Sequence, residues 1–247
     1  MDMGEIYKLL STDLIETIKS ELSLDDIIKC TSGCHHIRQF YSLDTLKVII
    51  INDLFIEVCK QGKIRLAKLL LKDPRVDQSF QDNKAIGIAA EFGQLEVVKL
   101  LLLLDGVDPS ANDNYAIRLA SLNGHVKIFE LLHRDDRVDC SAKNNYAIQM
   151  ASLIGKSVEI IRLLLEDPKV DPSADDSCAL HLAVNEGHIK IVKLLLSDKR
   201  IESNGNDLIG WASQNGDIEM VKVLMEKLRI DQKAADEAID LASMYVI

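Results

Sequence analysis

The sequence is short of most features that would mark a catalytic, fibrous or membrane-bound chain. Its 247 residues contain only 4 prolines and 12 glycines, which excludes a collagen-like or Pro/Gly-rich disordered chain. Basic residues are in deficit: 29 Lys+Arg against 39 Asp+Glu give 29 − 39 = −10. Phosphate binding requires clustered positive charge, so neither nucleic acid nor an anionic membrane surface is an expected partner. The longest purely apolar run, Leu100 to Leu104, falls far short of the roughly 20 residues that span a bilayer. The opening stretch MDMGEIYKLLSTD carries acids where a secretory signal would carry Lys or Arg. The cysteines (Cys30, Cys34, Cys59, Cys140 and Cys178) are odd in number and scattered, unlike a disulfide framework. An intracellular, cytoplasmic location is therefore expected. Gly-rich phosphate loops, a GxSxG elbow, an HExxH helix and a Ser/His/Asp grouping are all missing, so no enzymatic activity and no cofactor are expected.

What the chain does have is self-similarity. Gly62, Gly93, Gly124, Gly155, Gly187 and Gly216 are separated by 31, 31, 31, 32 and 29 residues. Around each glycine a short helical segment is followed by an apolar helix, as in LASLNGHVKIFELLHRDDRVD and LAVNEGHIKIVKLLLSDKRIE. A period near 31 with two helices per unit identifies a repeat array, in which stacking supplies the burial that one unit lacks.

The physics within a unit is legible. Asn83, Asn114, Asn145 and Ser177 stand where the first helix opens, and their side chains are expected to cap its unpaired N–H groups. Small residues such as Ala116 and Ala120 allow neighbouring first helices to approach closely. The glycine supplies the left-handed residue that ends that helix. In the second helix, apolar residues at 3–4 spacing, such as Val97, Val98, Leu101 and Leu102, predict one buried face. All four prolines (Pro74, Pro109, Pro168 and Pro172) fall in the connections between units, where a helix must stop. The GKSVEI stretch carries one extra residue relative to GHVKI, which predicts a local bulge near Ser157.

These units resemble the ankyrin repeat. Ala179-Leu180-His181-Leu182-Ala183, then Gly187-His188-Ile189 and Val192 to Leu196, is the best-matching copy. Other copies place Arg118 or Gln149 at the family's histidine, and Tyr115 or Tyr146 at its threonine. The DPRVD/DPKVD hairpin with NYAI resembles the repeats of amoebae and of the large DNA viruses and bacteria that live in them. The resemblance implies an all-α ankyrin-repeat solenoid over residues 47–234, about six repeats with the first degenerate. Residues 235–247 then read as a C-terminal capping helix.

Residues 1–46 do not follow the repeat and read as three short helices. About 40 residues bury too little surface to be stable alone, so they need the stack, a partner, or both. The string LSTDLIETIKSELSLDDIIKCTSGCHHIRQF resembles the F-box, with Leu10, Asp13, Leu14, Ile15, Ile18, Leu22, Leu24, Asp26, Ile27, Cys30, Cys34 and Arg38 at matching positions. Ser11 and Ile37 depart from the family's usual Pro and Trp. The resemblance implies that Leu10, Leu14, Ile15, Ile18, Leu22, Leu24, Ile27 and Ile28 face a Skp-type adaptor of a cullin ubiquitin ligase. The alternative is a helical cap that shields the first repeat.

Candidate binding residues are those that the repeat does not need for packing. In ankyrin stacks the two residues before the glycine line the concave face. That places Lys60 and Gln61, Glu91 and Phe92, Leu122 and Asn123, Leu153 and Ile154, Asn185 and Glu186, and Gln214 and Asn215 on that face, the middle four pairs being the expected contacts for an unidentified target protein. Phe92, Leu122, Leu153 and Ile154 would form an apolar stripe of the kind that marks interaction sites, unless they tuck against neighbouring helices. Tyr115 and Tyr146 recur at one register, which favours packing. Cys30, Cys34, His35 and His36 form a CxxxCHH cluster. A closed zinc site needs four converging ligands and no second Cys/His pair follows, so no metal is expected. A non-catalytic interaction adaptor is the expected function, as the substrate-recognition subunit of a ubiquitin ligase or as a scaffold that sequesters a partner.

Overall fold

The glycines that punctuate the sequence mark the turns of helical hairpins: Gly62, Gly93, Gly124, Gly155, Gly187 and Gly216 have φ of +71°, +74°, +75°, +67°, +72° and +69°. The computed structural model describes residues 43–201, 205–228, 238–240 and 242–243. The expected adaptor-facing residues between Leu10 and Ile28, and the CxxxCHH cluster, lie outside the described residues. Among the described residues there are helices and turns, and no strand. The helices are α1 (Leu43–Lys60), α2 (Ile64–Leu70), α3 (Phe80–Glu91), α4 (Leu95–Leu102), α5 (Ala111–Asn123), α6 (Val126–His133), α7 (Ala142–Ile154), α8 (Val158–Glu166), α9 (Ala174–Asn185), α10 (Ile189–Leu195), α11 (Gly205–Gln214) and α12 (Ile218–Leu228).

The chain divides into two units, residues 1–116 and 117–247, with the boundary inside α5. In the first unit α1 packs on α3 and α2 on α4, first helix against first and second against second. In the second unit α7, α9 and α11 form one layer, and α6, α8, α10 and α12 the other. The 3–4 spacing becomes burial at Val97, Val98 and Leu101 in α4 and at Ile160, Ile161 and Leu164 in α8, all within 1% of complete burial, whereas Leu102, expected on the same face, is only half-buried. Each fully buried side chain contributes about 1.5–3 kcal/mol of hydrophobic stabilisation. Four connection residues, Val76, Val107, Val138 and Val170, are also buried and anchor the hairpins.

The helix starts differ from the capping expectation. Gln81, Asp82 and Asn83 have φ of 53°, 54° and 59°, and the same left-handed triplet recurs at 112–114, 143–145 and 175–177. Right-handed helix follows each triplet. Asn and Asp tolerate the left-handed region better than other residues with a Cβ, and the triplets QDN, NDN, KNN and DDS are rich in them. A side-chain cap is absent from α3, α7 and α9. The asparagine oxygen serves the next connection instead. Asn83 Oδ1 accepts from the Asp108 N–H at 2.8 Å, and Asn145 Oδ1 accepts from the Asp171 N–H at 2.8 Å. In the degenerate first repeat the fully buried Asn52 does the same for Asp77 at 2.7 Å and donates to the carbonyls of Val48 and Arg75.

The connections are stabilised by their own side chains. Asp77, Asp108, Asp139 and Asp171 each accept from the N–H and hydroxyl of the serine two residues on. Three repeats add an arginine clamp: Arg75 grips Asp73, Arg137 grips Asp135 and Arg200 grips Asp198, each through two nitrogens at 2.6–2.9 Å. These arginines hold the three carboxyls below the ordinary aspartate range. The extra residue before α8 leaves Ser157 extended (φ −146°, ψ 111°), and its hydroxyl accepts from the Ile160 N–H at 3.3 Å as a true N-cap. All four prolines lie in turns between helices. Ala238 and Ala242, within the expected capping segment, are buried.

Candidate functional site

The residue pairs before the glycines end each first helix, because the left-handed glycine cannot extend it. In the first unit Phe92 is 47% exposed with the Lys60 ammonium 5.0 Å from its ring centroid, and Glu91 is half-buried beside it. In the second unit Leu122, Asn123 and Leu153 are half-buried, while Ile154, Asn185 and Glu186 are exposed. Asn123 is held from two directions: its amide donates to the Leu119 carbonyl and its oxygen accepts from Lys156 Nζ at 3.2 Å. Asn185 donates to Glu186 Oε1 at 2.9 Å.

The residue after the glycine ties these ends to the preceding repeat. Gln94 donates its amide to the Lys60 carbonyl at 2.9 Å. His188 Nε2 lies 3.0 Å from the Leu153 carbonyl; a carbonyl only accepts, so Nε2 carries the proton. Tyr146 is exposed with the Arg118 guanidinium 5.2 Å from its ring centroid. Tyr115 lies over Gly87, where a Cβ would come within 2.6 Å of its ring.

An open groove of about 560 Å³ lies between α9 and α11, lined by Cys178, His181, Leu182, Asn185, Trp211, Gln214 and Asn215. Trp211 is 41% exposed and meets the His181 ring edge-on at 5.1 Å. The rim is polar: Asn215 donates to the Asn185 carbonyl at 3.4 Å. Of the residues placed on the concave face from the sequence, Asn185, Gln214 and Asn215 line this groove. Trp211 was missed, although it is the chain's single tryptophan and stands where other copies carry Ile88, Leu119, Met150 and Leu182. That departure was the available signal.

A second arrangement joins residues that sequence spacing keeps apart. His133 at the end of α6, Cys140 in the following connection and Asp167 after α8 present ligand-type atoms all within 4.8 Å of one another. Burial, with the carboxylates of Asp167 and Asp139 nearby, pushes the Cys140 thiol up to about 12. No helix among the described residues is long and apolar enough to cross a membrane.

A family model described as ankyrin repeats (3 copies) matches residues 54–144, 117–207 and 147–236. No curated protein matches the chain.

Proposed function

The chain belongs to the ankyrin-repeat family, whose repeats bind protein partners, and from that premise we propose that it holds a target protein on the faces formed by its first-helix ends. The observation that carries this reading is the groove between α9 and α11, where an exposed tryptophan stands beside a histidine under a polar rim. Interfaces concentrate their energy in such aromatic anchors, and amide side chains at the edge fix orientation. Ile154, Asn185 and Glu186 extend the surface in the second unit, and Phe92 with Glu91 offers a second contact point in the first.

The finer reading is that this chain is the substrate-recognition subunit of a cullin-type ubiquitin ligase. Its support is the F-box-like string over residues 10–38, with Leu14, Ile15 and Ile18 at helical spacing. On this reading the opening segment recruits a Skp-type adaptor, the repeats hold the target, and another subunit performs the transfer. The chain contributes effective concentration rather than chemistry.

Two experiments separate the readings. Affinity capture with Trp211→Ala should lose the target while helicity is unchanged; capture equal to wild type would remove the groove from the binding surface. Recombinant adaptor should be retained by the wild-type chain and lost by Leu14→Asp/Ile18→Asp. Equal retention of both, or of neither, would leave a target-binding scaffold without ligase recruitment.

A further inference from the structure

We propose that His133, Cys140 and Asp167 bind a zinc-like divalent cation that braces one repeat against the next, with water in the fourth position. Two of the three ligand separations match a tetrahedral site, and all three ligand atoms lie within 4.8 Å of one another. His133 Nδ1 lies 3.3 Å from Cys140 Sγ and 3.7 Å from Asp167 Oδ2. A tetrahedral cation with bonds of about 2.0–2.3 Å needs ligand atoms about 3.3–3.8 Å apart. The histidine ring is already fixed by stacking on the buried Phe129, centroids 5.7 Å apart.

Three departures from the repeat rule coincide here. His133 stands where other copies place Leu71, Leu102, Leu165, Leu196 and Met225, and Cys140 where three of them place Gln78, Pro109 and Pro172. Lys169 stands at the register of the arginines at 75, 137 and 200, where the remaining connection has Gly106. The third change matters because each of those arginines occupies both oxygens of its aspartate. Asp167 instead takes the Lys169 backbone N–H on Oδ1, at 2.9 Å, and turns Oδ2 toward His133. His133 and Cys140 flank one connection, which keeps its Arg137–Asp135 clamp, while Asp167 and Lys169 belong to the next, so the cluster joins two successive repeats.

His133 and Asp167 line a cavity of about 320 Å³ whose wall also includes Asp136, Glu166 and Lys169, with Asp135 already held by Arg137. This acid-rich mouth favours cation entry and leaves room for the water ligand. On binding, Cys140 exchanges its thiol proton for the metal and the proton passes to solvent, so the thiolate, not the thiol, is the ligand.

Cobalt(II), added to the full chain after chelation and dialysis, is the probe. The expected result is one thiolate-bound cobalt, with sulfur-to-metal charge-transfer absorption and the intense visible bands of a tetrahedral ion. Cys140→Ser and His133→Leu should abolish the charge-transfer band, and Asp167→Asn should weaken binding at least tenfold. A Cys30→Ser/Cys34→Ser variant should keep the band. His133→Leu restores the residue the other repeats use, so circular dichroism should show its helicity intact. Absence of the band in the wild type, its survival in Cys140→Ser or His133→Leu, or its loss with Cys30 and Cys34 overturns the proposal. Unchanged affinity in Asp167→Asn overturns the three-residue set.

Discussion

Replacing Asn145 tests two forces that meet at one residue. Its backbone is left-handed (φ 60°), its side chain is 7% exposed, and its oxygen holds the Asp171 N–H across 26 residues. Asn145→Ala removes the hydrogen bond, a net loss of about 1 kcal/mol. It also places a side chain without local hydrogen bonding in the left-handed region, adding about 1 kcal/mol. The sum, about 2 kcal/mol, corresponds to a fall in Tm of about 4–8 °C for a chain of this size. Asn145→Gly separates the terms: it loses the bond but adopts the backbone freely, so it should fall roughly half as far. Asn145→Asp keeps an acceptor and should stay within about 0.5 kcal/mol of wild type. Urea titrations followed by far-ultraviolet circular dichroism measure all three. A glycine variant less stable than the alanine variant would refute the backbone argument, and an alanine variant equal to wild type would refute both.

The remaining predictions concern the turns and clamps. Gly155→Ala should cost more than about 1 kcal/mol, because φ is +67° and the new Cβ would collide with the His188 imidazole; a neutral result in thermal melts would contradict it. Arg200 grips Asp198 and also donates to the Val170 and Leu165 carbonyls at 2.7 Å, so Arg200→Lys should lower stability by about 1–2 kcal/mol despite keeping the charge. The clamped carboxyls of Asp73, Asp135 and Asp198 are depressed in the folded state, so their stabilisation is complete above the ordinary aspartate range near pH 4. It is lost as pH falls through the lower folded values. Urea midpoints should therefore drop as pH falls below about 4, and drop less in Asp198→Asn.

Much of the architecture was legible because it is periodic. Glycine at one register, apolar residues at 3–4 spacing and proline only in connections each have a single structural meaning, and six copies repeat the message. The left-handed triplets were not legible for a chemical reason. Asn and Asp favour both the helix cap and the left-handed region, so Asn83 or Asn145 by type alone does not distinguish them. Asn52 escaped notice because it sits inside an ordinary-looking helix in a degenerate copy, and its partner is 25 residues away. Sequence separation also hid the His133, Cys140 and Asp167 grouping: Asp167 belongs to the common hairpin pattern, one repeat beyond His133 and Cys140. Trp211 stood out by rarity, yet the groove that it lines depends on how α9 and α11 pack, which no residue pattern specifies.

The forward reach of the asparagines gives the array a polarity that matters when it is cut. Asn145 finds its donor beyond the end of α8, in an amide that the following repeat contributes. A fragment stopped at Glu166, where the helix itself finishes, would amputate that donor and leave a sunken carbonyl oxygen with nothing to hold. Carrying the same fragment through Ser173 would retain the amide together with the aspartate–serine turn that presents it. Shortened versions of this protein should therefore be ended after a connection, not at the close of a helix.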